Sequence, residues 1–241
     1  HTRLTDVTGV QTVLFRSLTL LGNGDNYGAL QAAANATSTW GGPIYLQSNA
    51  GTATPRLGAG AGGVLTVSGP IANGASGVNL YISPHNSGGR VILSGTNTYS
   101  GLTGVVRGTL ALGRDDALPT GTTLILNVAA ITSDSSTFDL AGFSQTVAGF
   151  SSATGHACLV TNSSVTLGTL TVNQATNTSY NGAIGGNLGL TKGGTGSLTL
   201  SNATTHTGPT VLNAGTLVVM AENGLGGSAV TVNGGTLALG T

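Results

Sequence analysis

The residues best suited to chemistry are two adjacent aspartates, Asp115 and Asp116, with Arg107 and Arg114 close by in sequence. Clustered carboxylates can hold calcium or act as general acid and base. Adjacent residues of a strand point to opposite faces, however, and this pair follows Leu112 at a point where a turn is expected. We therefore predict a solvated turn here, not a catalytic site.

The other ionisable residues show no spacing typical of a metal or catalytic site. Asp134 and Asp139 have no acidic partner in sequence, and Asp139 is expected to point outward beside inward-facing Phe138 or Leu140. The single Cys158 excludes an internal disulfide, and its apolar neighbours indicate a buried thiol. The four histidines lack the spacing of a metal ligand set. They are His1, His85, His156 and His206. We expect no catalytic, cofactor-binding or metal-binding residues.

Composition restricts both the fold and its partners. Of the 241 residues, 41 are glycine and 6% are charged, with seven basic and seven acidic side chains. Because phosphate binding depends on clustered lysine and arginine, this balance argues against a nucleic-acid or anionic-membrane partner. Residues with high helix propensity are scarce, which predicts a β-rich protein without long surface helices. No apolar run approaches the roughly 18 residues of a membrane span, and no signal peptide is recognisable at the start.

A long internal repeat organises the chain. Residues 91–113, VILSGTNTYSGLTGVVRGTLALG, recur without a gap as residues 198–219, LTLSNATTHTGPTVLNAGTLVV. The two copies are offset by 107 positions, so that Gly108 aligns with Gly215. A repeat of short alternating strands and glycine turns indicates a stacked architecture without a single enclosed pocket. We interpret the 107-residue offset as a super-period that contains several coils.

The spacing of inward aliphatic residues suggests the size of one coil. Leu198, Leu217 and Leu237 follow one another at nearly equal intervals, and Val91 and Leu110 are separated by a similar interval. This interval, about 20 residues, is one turn of a β-solenoid, in which each strand lies on the equivalent strand of the next coil. A β-sandwich also has evenly spaced strands, but it need not repeat whole motifs in register. We therefore predict an all-β solenoid.

Residues 58–63, GAGAGG, contain the GxG spacing found in phosphate-binding loops. Without a following helix or a P-loop lysine they indicate a turn.

Four threonines that follow a glycine would form an outward column if the coils stacked in register. Such a column is either a hydrogen-bonded ladder between coils or a flat surface that binds ice or a crystalline glycan. These residues are Thr109, Thr169, Thr216 and Thr236.

The repeated segments resemble a known family. Residues 198–217 and residues 93–101, LSGTNTYSG, are similar to the autotransporter-associated β-strand repeat, also called the passenger-associated transport repeat. The flanking LTKGGTG at 190–196 and FDLAGFSQTV at 138–147 are similar to the same family. The second copy departs from the motif in having His206 where the first copy has Tyr99, and Asn202 where the first has Gly95.

The resemblance implies a right-handed, single-stranded parallel β-helix exported as the passenger portion of a bacterial surface protein. It implies an extracellular or cell-surface location, a structural or adhesive role and no catalytic residues. The expected partners are surface glycans or a host or neighbouring cell surface, and membrane attachment would require a C-terminal anchor or barrel outside this sequence. A carbohydrate-active β-helix enzyme, acting as a polysaccharide lyase or hydrolase, is the alternative, as is the ice- or glycan-binding surface.

The chain is interpreted as one repeat domain, residues 18–241, which continues beyond both ends. Residues 7–17, VTGVQTVLFRS, resemble the translation of a sequencing-library adapter. We therefore interpret residues 1–17 as a non-native segment, with an ordinary first strand as the alternative.

Overall fold

The computed structural model describes residues 12–13, 17–24, 28–48, 54–74, 77–84, 88–128, 134–153, 157–227 and 229–240. Within these residues the chain forms parallel strands and no helix, stacked as a β-solenoid of about nine turns. The predicted all-β parallel solenoid is confirmed. No described segment forms a helix long and apolar enough to cross a membrane.

The strands form three columns, which we name face 1, face 2 and face 3, and they are numbered in chain order. Face 1 is one eight-stranded sheet. Its strands are β1 (Thr12–Val13), β4 (Thr37–Trp40), β7 (Val64–Val67), β10 (Arg90–Leu93), β12 (Gly108–Leu112), β14 (Ser136–Asp139), β17 (Cys158–Thr161) and β20 (Ala183–Ile184). Residues 204–206 continue this column without strand structure, since the Thr205 amide donates to the Ile184 carbonyl at 2.8 Å.

Face 2 consists of a three-stranded and a five-stranded sheet. The first contains β2 (Leu18–Leu21), β5 (Ile44–Gln47) and β8 (Ile71–Asn73), and the second contains β15 (Gln145–Val147), β18 (Gly168–Asn173), β21 (Leu188–Gly193), β23 (Thr210–Leu212) and β25 (Val230–Val232). The described coils between these two sheets have no strand on this face. There the buried Asn97 amide accepts from the Ile71 amide at 2.8 Å and donates to the Ala117 carbonyl at 2.7 Å. A side-chain amide thus takes the place of the backbone ladder.

Face 3 likewise consists of two sheets, of six and four strands. The first contains β3 (Leu30–Ala32), β6 (Arg56–Ala59), β9 (Leu80–Ile82), β11 (Thr103–Val105), β13 (Thr123–Leu126) and β16 (Gly149–Ser152), and the second contains β19 (Thr178–Tyr180), β22 (Ser197–Leu200), β24 (Thr216–Val219) and β26 (Thr236–Leu239). The rings of Phe150 and Tyr180 lie 4.5 Å apart, and the Thr178 hydroxyl donates to the Phe150 carbonyl at 2.6 Å. These contacts make the two sheets one continuous column.

The core is the inner side of all three faces, and strict alternation of side chains produces it. Val91 and Leu93 are fully buried, as are Leu198 and Leu217, so the predicted inward positions are confirmed. Leu239 departs from this pattern. It is 76% exposed because no described coil covers it.

The length of a coil varies along the solenoid, and Val91 pairs with Leu110 at the predicted short interval. In the C-terminal half Leu198 pairs with Leu217, and Leu217 pairs with Leu237, as the predicted spacing requires. In the N-terminal half Thr37 pairs with Val64, which is a longer interval. The predicted period is therefore too short for the first coils, and the mean spacing is about 23 residues. Extra residues in the connections lengthen a coil while its strands stay short.

The two repeat copies start on different faces of the solenoid. The first copy comprises β10 on face 1, β11 on face 3 and β12 on face 1, whereas the second comprises β22 on face 3, β23 on face 2 and β24 on face 3. From β10 the chain passes through four further strands of face 1, then β21 on face 2, before it reaches β22. The super-period therefore contains several coils, as predicted, but not a whole number of them.

Of the proposed non-native segment 1–17, the described residues are 12, 13 and 17. Thr12 and Val13 pair in parallel with Thr39 and Trp40. The rest of the segment lies outside the described residues, so its interpretation stays a prediction.

Candidate functional site

The adjacent aspartates form an exposed turn, as predicted, and each carboxylate binds the next coil. The Asp115 carboxylate accepts a hydrogen bond from the Ser144 amide at 2.7 Å, and the Asp116 carboxylate accepts one from the Thr146 amide at 2.8 Å. The Arg114 guanidinium donates to the hydroxyl of Thr96 on the preceding coil. These side chains thus link successive coils at a corner of the solenoid.

Two further aspartates among the described residues pair with arginines. The Asp134 carboxylate lies 3.1 Å from the Arg107 guanidinium, and the Asp139 carboxylate lies 2.7 Å from that of Arg90. Asp139 lies on the outward side of its strand beside inward Phe138, as expected, but its side chain is only 2% exposed. The following coil covers it, with the Ser163 amide and hydroxyl donating to its two oxygens at 2.9 and 2.7 Å.

The environment of Asp139 keeps it ionised. Burial alone would raise its pKa, but hydrogen bonds from Ser163, Arg90 and the Ala141 amide outweigh burial and hold the pKa below its ordinary value. A carboxylate with four donors has no lone pair directed at a substrate. The Asp139 carboxylate therefore acts as a structural acceptor between three coils.

One hydrogen bond recurs in the two repeat copies although the residue type changes. The Tyr99 hydroxyl lies 2.6 Å from the Thr103 hydroxyl in the first copy, and the His206 Nε2 atom lies 2.9 Å from the Thr210 hydroxyl in the second. Tyr99 and His206 are 1% and 0% exposed. The replacement at His206 therefore preserves both the buried position and its partner.

Lys192, the only lysine, is the buried residue that sequence reasoning missed. It is fully buried on β21, between Val172 and Leu212 of the adjacent coils, and its ammonium donates to the carbonyls of Gly193, Gly194 and Ala214. Burial lowers its pKa. The alternation of Leu188, Leu190 and Lys192 already indicates that Lys192 points inward.

The remaining candidate residues do not converge on one site. Burial raises the pKa of the Cys158 thiol, as expected for a buried cysteine. His1, His85 and His156 lie outside the described residues. Among the residues that the structure describes, no three His, Cys, Asp or Glu side chains are placed to hold a metal ion. The glycine-rich residues 58–63 comprise the end of β6 and a turn, which confirms the predicted turn.

The four predicted threonines do not form one column. Thr109 lies on face 1, Thr169 on face 2, and Thr216 and Thr236 lie on face 3, so the predicted four-residue array is wrong. The Gly-Thr motif that these threonines share therefore occurs on all three faces.

A different column runs along the outer side of face 2, where successive coils pair in register. Its members are Thr146, Thr171, Thr191, Val211 and Thr231.

Both repeat copies match a family model. The model, described as passenger-associated-transport-repeat, matches residues 86–112 and 190–219. The chain carries passenger-associated transport repeats. In each passenger repeat three strands and the corner glycine, Gly108 or Gly215, occupy equivalent positions. Neither the curated proteins nor the solved structures contain a significant match to the chain. The repeats and the β-solenoid fit the scaffold of an autotransporter passenger.

Proposed function

We propose that the chain is a non-catalytic structural and adhesive scaffold, displayed at the bacterial cell surface as part of an exported passenger. The observation that carries this proposal is the use of polar side chains between coils. The described carboxylates of Asp115, Asp116, Asp134 and Asp139 each bind an amide, a hydroxyl or an arginine of the solenoid. The side chains most suited to catalysis thus hold coils together.

The outer side of face 2 is the proposed adhesive surface. Thr171 and Thr191 are partly exposed and stack in register, and Thr231 is exposed two coils further on. In-register strands are about 4.8 Å apart, so the hydroxyls of Thr146, Thr171 and Thr191 form an uncharged row, which Val211 separates from Thr231. Such a row suits uncharged surface glycans on a host or neighbouring cell, and the balanced net charge gives no attraction for nucleic acid.

Binding to glycan-coated particles tests the adhesive role. The variant carrying Thr171→Arg and Thr191→Arg should lose at least about tenfold in affinity, because two bulky charges interrupt the row. Thr66→Arg is the matched control, since Thr66 is a partly exposed, outward threonine on face 1 and should leave binding unchanged. Equal binding by all three proteins would show that face 2 is not the contact surface.

The non-catalytic part of the proposal has its own test. The purified chain is incubated with acidic and neutral polysaccharides, and new reducing ends and unsaturated sugars are measured. We expect no product above that formed by a heat-unfolded sample. Product that disappears in the Asp115→Asn, Asp116→Asn double variant would overturn the proposal in favour of a carbohydrate-active enzyme.

Labelling of intact cells tests the location. Antibodies raised against the purified chain should label unpermeabilised cells of the producing bacterium, and external protease should remove the label. Labelling only after permeabilisation would contradict surface display.

A further inference from the structure

His206 is enclosed between two coils of the C-terminal half. The preceding coil supplies carbonyls to the residues around it, since the Thr205 amide donates to Ile184 at 2.8 Å and the Thr207 amide donates to Gly186 at 3.0 Å. The following coil covers it from the other side. The Thr204 hydroxyl donates to the Gly224 carbonyl at 3.0 Å. The imidazole is therefore fully buried at a contact between coils.

One ring nitrogen of His206 has a partner and the other does not. Nε2 lies 2.9 Å from the Thr210 hydroxyl, whereas buried Nδ1 has no hydrogen-bond partner among the described residues. A neutral imidazole tolerates this arrangement because only one nitrogen carries a proton. A protonated imidazole would place a charge and an unpaired N–H donor in the same closed position, which disfavours that form strongly.

The first repeat copy has the same arrangement, but its buried residue does not change charge in mild acid. Tyr99 occupies the position equivalent to His206 and bonds the hydroxyl of Thr103, as His206 bonds Thr210. Burial raises the pKa of Tyr99 further above its ordinary value, so its hydroxyl keeps its proton at every physiological pH. The replacement by histidine gives only the second copy a group that changes charge in mild acid.

We propose that His206 is a pH-sensitive latch that holds the coils of residues 204–240 on the solenoid at neutral pH and releases them in mild acid. Protonation of His206 is compatible with an open C-terminal segment, in which water solvates the imidazolium. It is incompatible with the closed contact between Ile184, Gly186 and Gly224. Acid therefore shifts the population toward the open segment.

The charged groups around His206 do not compensate for an imidazolium. The elements packed against it are β20, β21, β23 and the segments 201–209 and 220–227, and their other titratable residues are Lys192 and Glu222. The Lys192 ammonium has the same sign of charge and is directed at three carbonyls. Glu222 is exposed to solvent. Burial is the cause that lowers the pKa of His206.

The pH range of the latch follows from the direction of this shift. The folded-state pKa lies below the ordinary histidine value of about 6.5, so the closed state binds fewer protons than the open state. Closure is therefore fully stable above about pH 6.5 and weakens as the pH falls toward the folded-state pKa. One extra proton in the open state changes the opening equilibrium by at most about tenfold per pH unit.

Hydrogen exchange followed by mass spectrometry on the full chain tests the latch. Peptides covering residues 204–226 should exchange up to about thirtyfold faster at pH 5 than at pH 7.5, after correction for intrinsic chemistry. Peptides covering residues 97–118 should show no such change. Equal pH dependence of the two regions would overturn the proposal.

A reciprocal exchange of residues provides the controls. His206→Tyr should abolish the acid-induced exchange at residues 204–226, and Tyr99→His should introduce it at residues 97–118. His85 and His156 remain in both variants, so the difference reports on the exchanged position alone. If His206→Tyr does not fold, NMR titration of the wild-type imidazole decides instead. A folded-state His206 pKa at or above the ordinary value of about 6.5 would contradict the latch.

Discussion

The two repeat copies share their sequence pattern and their strand order, but they occupy different faces and use different polar partners. The first copy joins Tyr99 to Thr103 and continues to the Thr122 hydroxyl at 3.0 Å, whereas the second joins His206 to Thr210 alone. The motif therefore determines the strands of a coil and the position of its corner glycine, but not the face on which those strands lie. Each face accepts it because all three have the same apolar inner side.

The surroundings of the two copies differ in charge. Two ion pairs, Arg90–Asp139 and Arg107–Asp134, join coils around the first copy. Around the second copy the buried charge is Lys192, which bonds backbone carbonyls. The coils around the first copy thus use side-chain ion pairs, whereas Lys192 near the second copy bonds backbone carbonyls. The predictions that follow test this comparison.

The largest expected effect comes from the corner glycine that both copies share. Gly108 and Gly215 have φ values of 66° and 70°, which disfavour any other residue. A methyl group at 215 would overlap the backbone carbonyl oxygens of Gly194 and Gly196, whereas at 108 it would meet the Pro84 side chain. Gly215→Ala should lower the free energy of unfolding by about 3 kcal/mol or more, and Gly108→Ala by about 2 kcal/mol.

Urea unfolding measures both losses. Gly121→Ala is the control, because its methyl group would have no neighbour within 4 Å and should change the free energy of unfolding by less than about 0.5 kcal/mol. A larger loss from Gly108→Ala than from Gly215→Ala would contradict the assignment of the tighter corner to the second copy.

Substitution of Asp139 should give the next largest loss in the free energy of unfolding, and this loss should arise only from the coils around the first copy. Asp139→Asn removes a charge that Arg90 and Ser163 bind, which should cost about 2 kcal/mol at pH 7. Because the folded-state pKa is lowered, this stability is present above about pH 3.9 and is lost as the pH falls through the folded value. Urea unfolding between pH 7 and pH 2 measures it. Asp115→Asn, at an exposed turn, should cost less than about 1 kcal/mol.

Tyr99→Phe removes one hydroxyl from the chain of hydrogen bonds in the first copy. The expected loss is about 1 kcal/mol, since Thr103 keeps the Thr122 hydroxyl as a partner. Thermal unfolding measures it against Tyr45→Phe, which alters an exposed ring and should have almost no effect. A loss of about 3 kcal/mol from Tyr99→Phe would show that the hydroxyl chain acts as one cooperative unit.

Arg114→Ala should have the smallest effect. Its guanidinium is exposed and donates to the Thr96 hydroxyl and the Asp115 carbonyl. Exposed contacts of this kind contribute little, so the free energy of unfolding should change by less than about 0.5 kcal/mol. A loss as large as that expected from Asp139→Asn would mean that the turn at Asp115 is a main support of the coils.

The sequence predicts the inner side of the solenoid well because burial imposes alternation on every strand. Positions such as Leu198, Leu217 and Leu237 follow from a period of two within strands and a nearly constant spacing between them. The length of the early coils could not be predicted, since added residues in a connection leave that alternation unchanged. The face of each copy could not be predicted either, because the three inner faces have the same pattern.

The polar contacts depend on the register between coils, which explains the errors at individual residues. Asp139 follows inward Phe138 and would face solvent on an isolated strand, but Ser163 of the next coil covers it. Asn97 substitutes for a strand because Ile71 and Ala117 lie on either side of it. Each case needs residues from different coils, which sequence spacing alone does not bring together.

The central claim is that the second copy starts on face 3, and cysteine cross-linking tests it directly. Thr199 pairs with Ser179 on face 3. If the second copy repeated the placement of the first on face 1, Thr199 would take the position of Ile92 and would instead follow Gly185 in that column. Neighbouring in-register strands are about 4.8 Å apart, within the range that a disulfide spans.

In a Cys158→Ala background, the Ser179→Cys, Thr199→Cys variant should form the disulfide rapidly and completely under mild oxidation. The Gly185→Cys, Thr199→Cys variant should remain reduced. Mass spectrometry of the oxidised proteins distinguishes the two outcomes. Efficient cross-linking of the second pair, with none in the first, would contradict the account.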